Sequence, residues 1–336
     1  MNAVSAEAVA ALLTAPTTTT LRPLLEGNNI SFALGFKHVS YLVEAAVVDH
    51  FRQSGIPVGE LYLTYALGFD IVDIATRLGG FLAVDDLVEG EVTPAGKPGD
   101  EALTFKVALY VERDGARTRA VTSKVRVVLR LDGYTKPLVP VPAELAPYTA
   151  ERLAVAEPTA LPVAPAAPSA AAGGRGVTGQ DPVLAELTRG ANAFGWRWRI
   201  PYFYCHFNER MQMSGFLRVM EEVVDLFLAD RGLSIKQVLD QKNWIPVVTQ
   251  SAVELLDEVR MEEELYTVYT VEEVLKSLLY TSRMDCYVVR DGELVQTATG
   301  RITHGYVTER EQNDWVMADL DEDTVRRLLN TYTTSA

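Results

Sequence analysis

Cysteine is almost missing from this sequence, with two among 336 residues, Cys205 and Cys286. That excludes a disulfide-stapled fold. With no CxxC pair and only four scattered histidines, it also leaves no ligand set for a structural zinc. Basic residues are in deficit: 31 Lys and Arg face 45 Asp and Glu, for a formal charge of −14. Nucleic acid requires a clustered basic surface, so none is expected as a partner. No run of eighteen apolar residues is available to span a bilayer, and the opening MNAVSAEAVAALLTAPTTTT lacks the basic flank of a secretory signal. The expectation is a cytoplasmic protein with no metal, no cofactor and no membrane partner.

What is present is enough for a full core, since 48% of residues are apolar, and the length favours two domains. Between residues 137 and 179 the composition shifts to Pro, Ala and Gly, which reads as a semi-extended linker. The expected division is an N-terminal extension over 1–20, a domain over 21–148, a linker over 149–190, a second domain over 191–310 and a C-terminal extension over 311–336.

The two flanking halves repeat. Residues 110–124 read YVERDGARTRAVTSK and residues 287–301 read YVVRDGELVQTATGR, with Tyr, Val, Arg, Asp and Gly at matching offsets 177 residues apart. The same offset lays residues 36–56 on 213–233, Glu44 on Glu221 and Gly55 on Gly232. Both segments have helical apolar spacing and end at a Gly suited to a helix C-terminus. Between helix and hairpin, a slip of one residue sets 85–92 against 263–270. Each half therefore reads as one long helix followed by antiparallel strands around an Asp-Gly turn. Only the sheet can cover the apolar helix, so the fold class is α+β, a helix wrapped by a curved antiparallel sheet and present twice.

This arrangement resembles the hotdog fold in its tandem, double-hotdog form. The close of the first half, KVRVVLRLDGYTKPLVPVPAELAPY, is similar to the end of hotdog acyl thioesterases. The opening of the second, RIPYFYCHFNERMQMSGFLRVMEEVVDLFLADRGLSI, resembles 4-hydroxybenzoyl-CoA and acyl-ACP thioesterases. The resemblance implies two long central helices, a pseudo-dimer within one chain with further homodimerisation left open, and hydrolysis of an acyl-CoA or acyl carrier protein thioester. Aromatic-rich segments allow a bulky acyl group, and the resemblance extends to enzymes of bacterial polyketide and other secondary-metabolite pathways. The family carries an Asp about fifteen residues before the helix carboxylates, where this chain has Asn29 and His206, and its Gly-His-Val-Asn-Asn run is missing. A hotdog dehydratase or hydratase and a non-catalytic acyl-binding module are the alternatives.

Candidate residues follow from the chemistry of a thioester. Its developing oxyanion needs donors, and the turns opening the two helices supply backbone N–H groups, with small residues Gly35, Ser214 and Gly215 permitting close approach. In the CHFNE loop, His206 suits water activation and Asn208 water positioning, or both belong to a plain polar loop. Cys205 reads as packed and not as a nucleophile. Glu44 sits in an apolar run that would raise its pKa if buried, and is otherwise solvent-facing or paired. Glu221 and Glu222 lie about 100° apart on a helix, so at most one faces inward, and Glu222 is the candidate taken. His38 could meet a thioester oxygen or simply pack, whereas His50 and His304 read as structural. Arg197 and Arg199 share one face of a strand and could meet phosphates, with Trp196 and Trp198 on the other. Because Asn29 and His206 correspond yet differ, one working site is expected, built from the second-half loop and the first-half helix.

Overall fold

The computed structural model describes residues 4–153, 155–167, 177–178, 181–311 and 314–330. From the start run α1 (Ala6–Thr14), β1 (Thr17–Leu21), the long helix α2 (Phe36–Gln53), α3 (Val58–Tyr65) and strands β2 (Leu67–Leu78), β3 (Val88–Pro94), β4 (Leu103–Arg113) and β5 (Ala116–Leu131). Three two-residue strands follow, β6 (Thr149–Ala150), β7 (Thr159–Ala160) and β8 (Val177–Thr178). The order then recurs as α4 (Pro182–Leu187), β9 (Ala193–Arg199), α5 (Met213–Asp230), α6 (Ile235–Lys242), β10 (Ile245–Leu255), β11 (Glu264–Leu275), β12 (Leu279–Arg290) and β13 (Glu293–Glu311). Strand β14 (Asp314–Met317) and helix α7 (Glu322–Leu328) close the described chain. This is the expected tandem of long helices wrapped by antiparallel sheet.

Burial explains the two long helices. Val39, Val43, Ala46, Val47 and Phe51 of α2, and Phe216, Val219, Met220, Val223 and Phe227 of α5, recur at helical spacing and are buried. Neither helix has a side-chain hydrogen bond at its N-cap, Gly35 or Gln212. A cap contributes ~1 kcal/mol and each buried large apolar side chain ~1.5–3 kcal/mol, so packing outweighs the missing caps and the first N–H groups stay free. The hairpin turns have left-handed backbones at Asp114 and Gly115 and at Asp291 and Gly292, the geometry that makes Asp-Gly the favoured two-residue turn.

All strands join one sheet whose main path is β1-β3-β4-β5-β2-β10-β13-β12-β11-β9-β8. Its centre is the antiparallel pair β2 and β10, in which Ala75 faces Ala252. These two residues are themselves 177 apart, so a pseudo-dyad passes between them. The ladders obey the same offset: Thr17↔Val92 becomes Phe194↔Tyr269, Glu89↔Tyr110 becomes Tyr266↔Tyr287, and Phe69↔Leu129 becomes Pro246↔Tyr306. Bulges also correspond, at Ile71/Asp73 and Val248/Gln250. The one-residue slip expected near residues 85–92 is therefore corrected: strand pairing holds the offset at 177, and the similarity of 85–92 to 263–270 was one of composition.

The segments expected to stand outside the repeat are folded into it. Val9 and Leu12 of α1 enter the core and β1 pairs with β3 as an edge strand. At the other end β14 pairs with β13, and Leu328 of α7 is fully buried. The Pro/Ala-rich segment is anchored as well: β6 runs parallel to β5, Arg152 meets Asp257 at 2.9 Å, and Leu161 and Val163 pack against Val183, Leu184, Tyr266 and Leu294. Residues 168–176 of that segment lie outside the described residues. Among the described residues no helix is long and apolar enough to cross a membrane.

Candidate active site

The dyad brings the two long helices face to face. Tyr41 and Arg218, equivalent positions of α2 and α5, meet directly: Arg218 Nε donates to the Tyr41 hydroxyl at 3.1 Å, and that hydroxyl donates to the Ser214 carbonyl at 3.2 Å. Each helix N-terminus is thus overlooked by the middle of the other helix. The two N-termini differ in what they find there.

At the start of α2, Lys37 Nζ sits 2.6 Å from Glu221 Oε2 of α5. Gly35 lies in the same corner, where an added Cβ would stand 3.8 Å from Glu221 Oε1. The carboxylate that overlooks this helix start is therefore held by a cation. His38 is mostly buried, with Nε2 unsatisfied and 3.9 Å from Glu26 Oε1; burial first, then Lys37, lowers its pKa. Asn29 is exposed and its side chain accepts from the Ile30 N–H.

At the start of α5, position 214 holds Ser where α2 has Lys37. Applying the dyad to Lys37 and Glu221 gives Ser214 and Glu44. No cation lies within ion-pair distance of Glu44 among the described residues. The residue is only half-buried, yet its carboxyl is shielded enough that desolvation pushes its pKa up to about 7. His206 is exposed, with Nε2 3.3 Å from Ser214 Oγ. Gln212, the N-cap, donates through Nε2 to Asp70 Oδ1 at 2.8 Å and to the His206 carbonyl at 3.3 Å. The N–H groups of Met213 and Ser214 have no acceptor within the helix, because Gly215 and Phe216 donate to the Gln212 carbonyl.

The other expected residues take different places. Asn208 folds back to accept from the Arg210 N–H at 2.8 Å, and its buried Nδ2 lies over Gly68, so it shapes the loop. An added Cβ at Gly215 would meet Met211 and Tyr204 at 3.0 Å, so this glycine serves packing and leaves no room for a carbonyl. Arg197 is buried between Asp181 at 3.3 Å and Glu264 at 3.6 Å, and Arg199 pairs with Glu262 at 2.8 Å, which commits both away from a phosphate. Their strand does alternate as expected, with Trp196 stacked on Trp198 at 5.4 Å. Glu222 is half-buried beside Glu221. Burial pushes the Cys205 thiol up to about 11, so it stays protonated at neutral pH. Among the described residues no three of His, Cys, Asp and Glu gather to hold a metal ion.

Sequence reasoning missed Asp70 and the arginines around it. Asp70 is a lone acid in the strand segment LGFDIV, and that exception to an apolar run was the available signal. Arg210 Nε stands 3.6 Å from Asp70 Oδ2, and Arg130 Nη2 stands 3.3 Å from Glu258 Oε1, with both arginines more than nine-tenths buried. They line a void of about 10 Å³ reaching Gln212 and Met213, the size of one water molecule. Truncating either partner of such a buried pair costs ~3–5 kcal/mol, so this network fixes the α5 N-terminus against the first unit.

Residues 201–326 match the family model described as the thioesterase-like superfamily. No curated protein sequence matches the chain. Among solved structures, it is similar to a Lactobacillus plantarum protein described as an oleoyl thioesterase, at 10% identity and a TM-score of 0.56, over 90% of this chain and 98% of that one. A 12:0-ACP thioesterase from Umbellularia californica shares 10% identity with a TM-score of 0.54, over 87% and 94% of the respective chains. An acyl-ACP thioesterase from Bacteroides thetaiotaomicron shares 11% identity with a TM-score of 0.50, over 86% and 97%. At these identities the likeness is one of fold, and it spans both units.

Proposed function

Given a chain with the double-hotdog fold of the thioesterase-like superfamily, whose family model its second unit matches, we propose that it hydrolyses a thioester at the N-terminus of α5. The observation that carries this reading is the contrast between Glu44 and Glu221. Glu221 is held by Lys37, whereas Glu44 has no cation within ion-pair distance among the described residues and a carboxyl poised near neutral pH. A base tuned close to the working pH is what water activation requires.

In this reading the thioester carbonyl lies against the N–H groups of Met213 and Ser214, at the positive end of the α5 dipole. Glu44 takes a proton from water as the resulting hydroxide attacks the carbonyl carbon. The tetrahedral oxyanion collapses, the C–S bond breaks, and the thiolate takes the proton from Glu44, giving a carboxylic acid and a thiol. His206 orients the Ser214 hydroxyl toward the oxyanion, and Asp70 holds Gln212, and through it the loop, in place. The acyl group would be carried by coenzyme A or an acyl carrier protein, and the exposed aromatics Tyr202, Phe203 and Phe207 beside this helix start suit a bulky one.

Incubation with a panel of acyl-CoA and acyl carrier protein thioesters in the presence of a thiol reagent tests the proposal. Thiol release is expected for at least one substrate, abolished by Glu44→Ala and lowered roughly tenfold by His206→Ala, the scale of a positioning contribution. No release from any substrate would sink it, and hydration of an enoyl thioester without thiol release would replace it with a hydratase.

A further inference from the structure

The outer face of the sheet carries a row of cations that the acidic composition makes unexpected. Following pairing partners from strand to strand gives Thr93, Lys106, Lys124, Ala75, Ala252, Arg301 and Arg283. The row is symmetric about the dyad: Lys106 corresponds to Arg283, Lys124 to Arg301 and Ala75 to Ala252. In each unit two cations stand directly opposite one another on neighbouring strands. Like charges so placed destabilise a sheet by a few tenths to ~1 kcal/mol. Both copies of the repeat nonetheless have them, in a chain of net charge −14.

The units treat the repulsion differently. In the second, Arg283 meets Asp285 at 3.0 Å and Glu272 at 3.8 Å, and Arg301 meets Glu272 at 3.5 Å. In the first, Lys106 and Lys124 are exposed and have no carboxylate within ion-pair distance among the described residues, and the same holds for Arg77 and Arg119 on the same groove. The two alanines at the centre leave a groove of about 820 Å³, within the range of small-ligand sites. Threonines 93, 122 and 303 add hydroxyl donors along it.

We propose that this groove binds a small polyphosphate anion, such as a nucleotide carries. Glu91, Glu272 and Glu273 also line the groove, but Glu91 is held by Arg117, Glu272 by Arg283 and Arg301, and Glu273 accepts from Thr281. The four cations without carboxylate partners among the described residues therefore leave a positive surplus that matches phosphate oxygens in charge and in donor chemistry. None of the large hydrophobic side chains exposed elsewhere on the chain lies in the groove, so it lacks the apolar anchors of a protein interface. The ligand chemistry has two sources, the phosphorylated nucleotide end of coenzyme A or a free nucleotide.

Calorimetric titration of the full chain at low ionic strength with pyrophosphate, ADP and coenzyme A decides. Saturable binding weakened at least tenfold by the double substitution Lys106→Gln and Lys124→Gln is the expected result. Arg283→Gln, whose charge already faces two carboxylates, should weaken it by less than threefold. Binding of coenzyme A alone assigns the first source, and comparable binding of ADP and pyrophosphate the second. The double variant should melt no lower than the wild type, because a repulsion has been removed. It should also turn over an acyl N-acetylcysteamine thioester, which carries no phosphate, at the wild-type rate. Failure of all three anions to bind saturably, or equal binding to the double variant, would overturn the proposal. Retention of a polyglutamate peptide in their place would overturn it in favour of an acidic protein partner.

Discussion

The inner faces of the two units differ most where their backbones agree best. Beneath α5 the sheet presents Tyr269, Tyr280, Ser282, His304 and Tyr306, whereas the equivalent positions of the first unit are Val92, Leu103, Phe105, Val127 and Leu129, and all ten are buried. In the second unit the hydroxyls face one another, Tyr269 toward Ser282 and Tyr280 toward Tyr306, whereas Nδ1 of His304 has no hydrogen-bond partner among the described residues. An unpaired buried group costs ~1–3 kcal/mol, so His304 is a local weakness that Val127, its equivalent, does not bring to the first unit. The same divergence marks the helix starts, where a Lys37 and Glu221 pair in one copy becomes Ser214 and Glu44 in the other. Duplication left the frame fixed and let interior and helix start change independently, one unit supplying a plain core and the other a titratable one.

The sharpest way to break the comparison is to neutralise both helix carboxylates in turn. Glu44→Gln should lower kcat at least 100-fold, and Glu221→Gln less than threefold, measured as thiol release at pH 8. The wild-type rate should rise with pH through about 7 as Glu44 ionises. Stability runs the other way. A carboxyl whose folded pKa is raised stabilises the fold fully below its unfolded pKa of 4.5 and loses that contribution as pH rises through about 7. Glu44→Gln should therefore raise the Tm by about 2–4 °C at pH 8 while removing activity. If both variants lose activity alike, the asymmetry between the two helix starts is not catalytic.

The tyrosine and histidine interior gives a second test. Burial depresses the His304 pKa to about 3, and the ring stacks on Tyr280 at 5.1 Å. Its neutral form is thus built into the fold. That stability is complete above the unfolded pKa of 6.5 and is lost as pH falls toward 3, at ~1.4 kcal/mol for each pH unit. His304→Val, which installs the first unit's residue, should flatten the decline in Tm between pH 6.5 and 4.5. An unchanged slope would mean that His304 is protonated in the folded state.

The frame of this molecule was legible because its signals are local. An Asp-Gly turn, a helix stripe and a terminal Gly each act within a few residues, and one offset linked them. What stayed hidden depends on the dyad or on docking. Asp70 and Gln212 are 142 residues apart, and Lys37 meets Glu221 only because the helices cross. Alternation put Arg197 on the right face of β9, yet its partner Asp181 comes from a Pro/Ala-rich segment whose composition shows no period to reveal where it packs. The CHFNE loop was found as a polar cluster, but which of its side chains face the helix start depends on the left-handed turn at Phe207, and its sequence does not signal that turn.

The smallest expected effect concerns the contact on the dyad itself. Tyr41 joins the units through one hydroxyl, which donates to the Ser214 carbonyl and accepts from Arg218 Nε. Tyr41→Phe keeps the ring and removes both bonds. A net hydrogen bond contributes ~1 kcal/mol, with more when one partner is charged, so a loss of about 1–2 kcal/mol in denaturant unfolding is the expected outcome. The functional consequence should be of the same order, because the Ser214 carbonyl that Tyr41 holds belongs to the first turn of α5. The drop in kcat should be about three- to tenfold at the α5 N-terminus, with no change in the pH at which the rate rises, since Glu44 is untouched. A shift of that pH instead would show that Tyr41 reports on the charge of Glu44, and that the hydroxyl belongs to the proton chemistry and not only to the seam between the units.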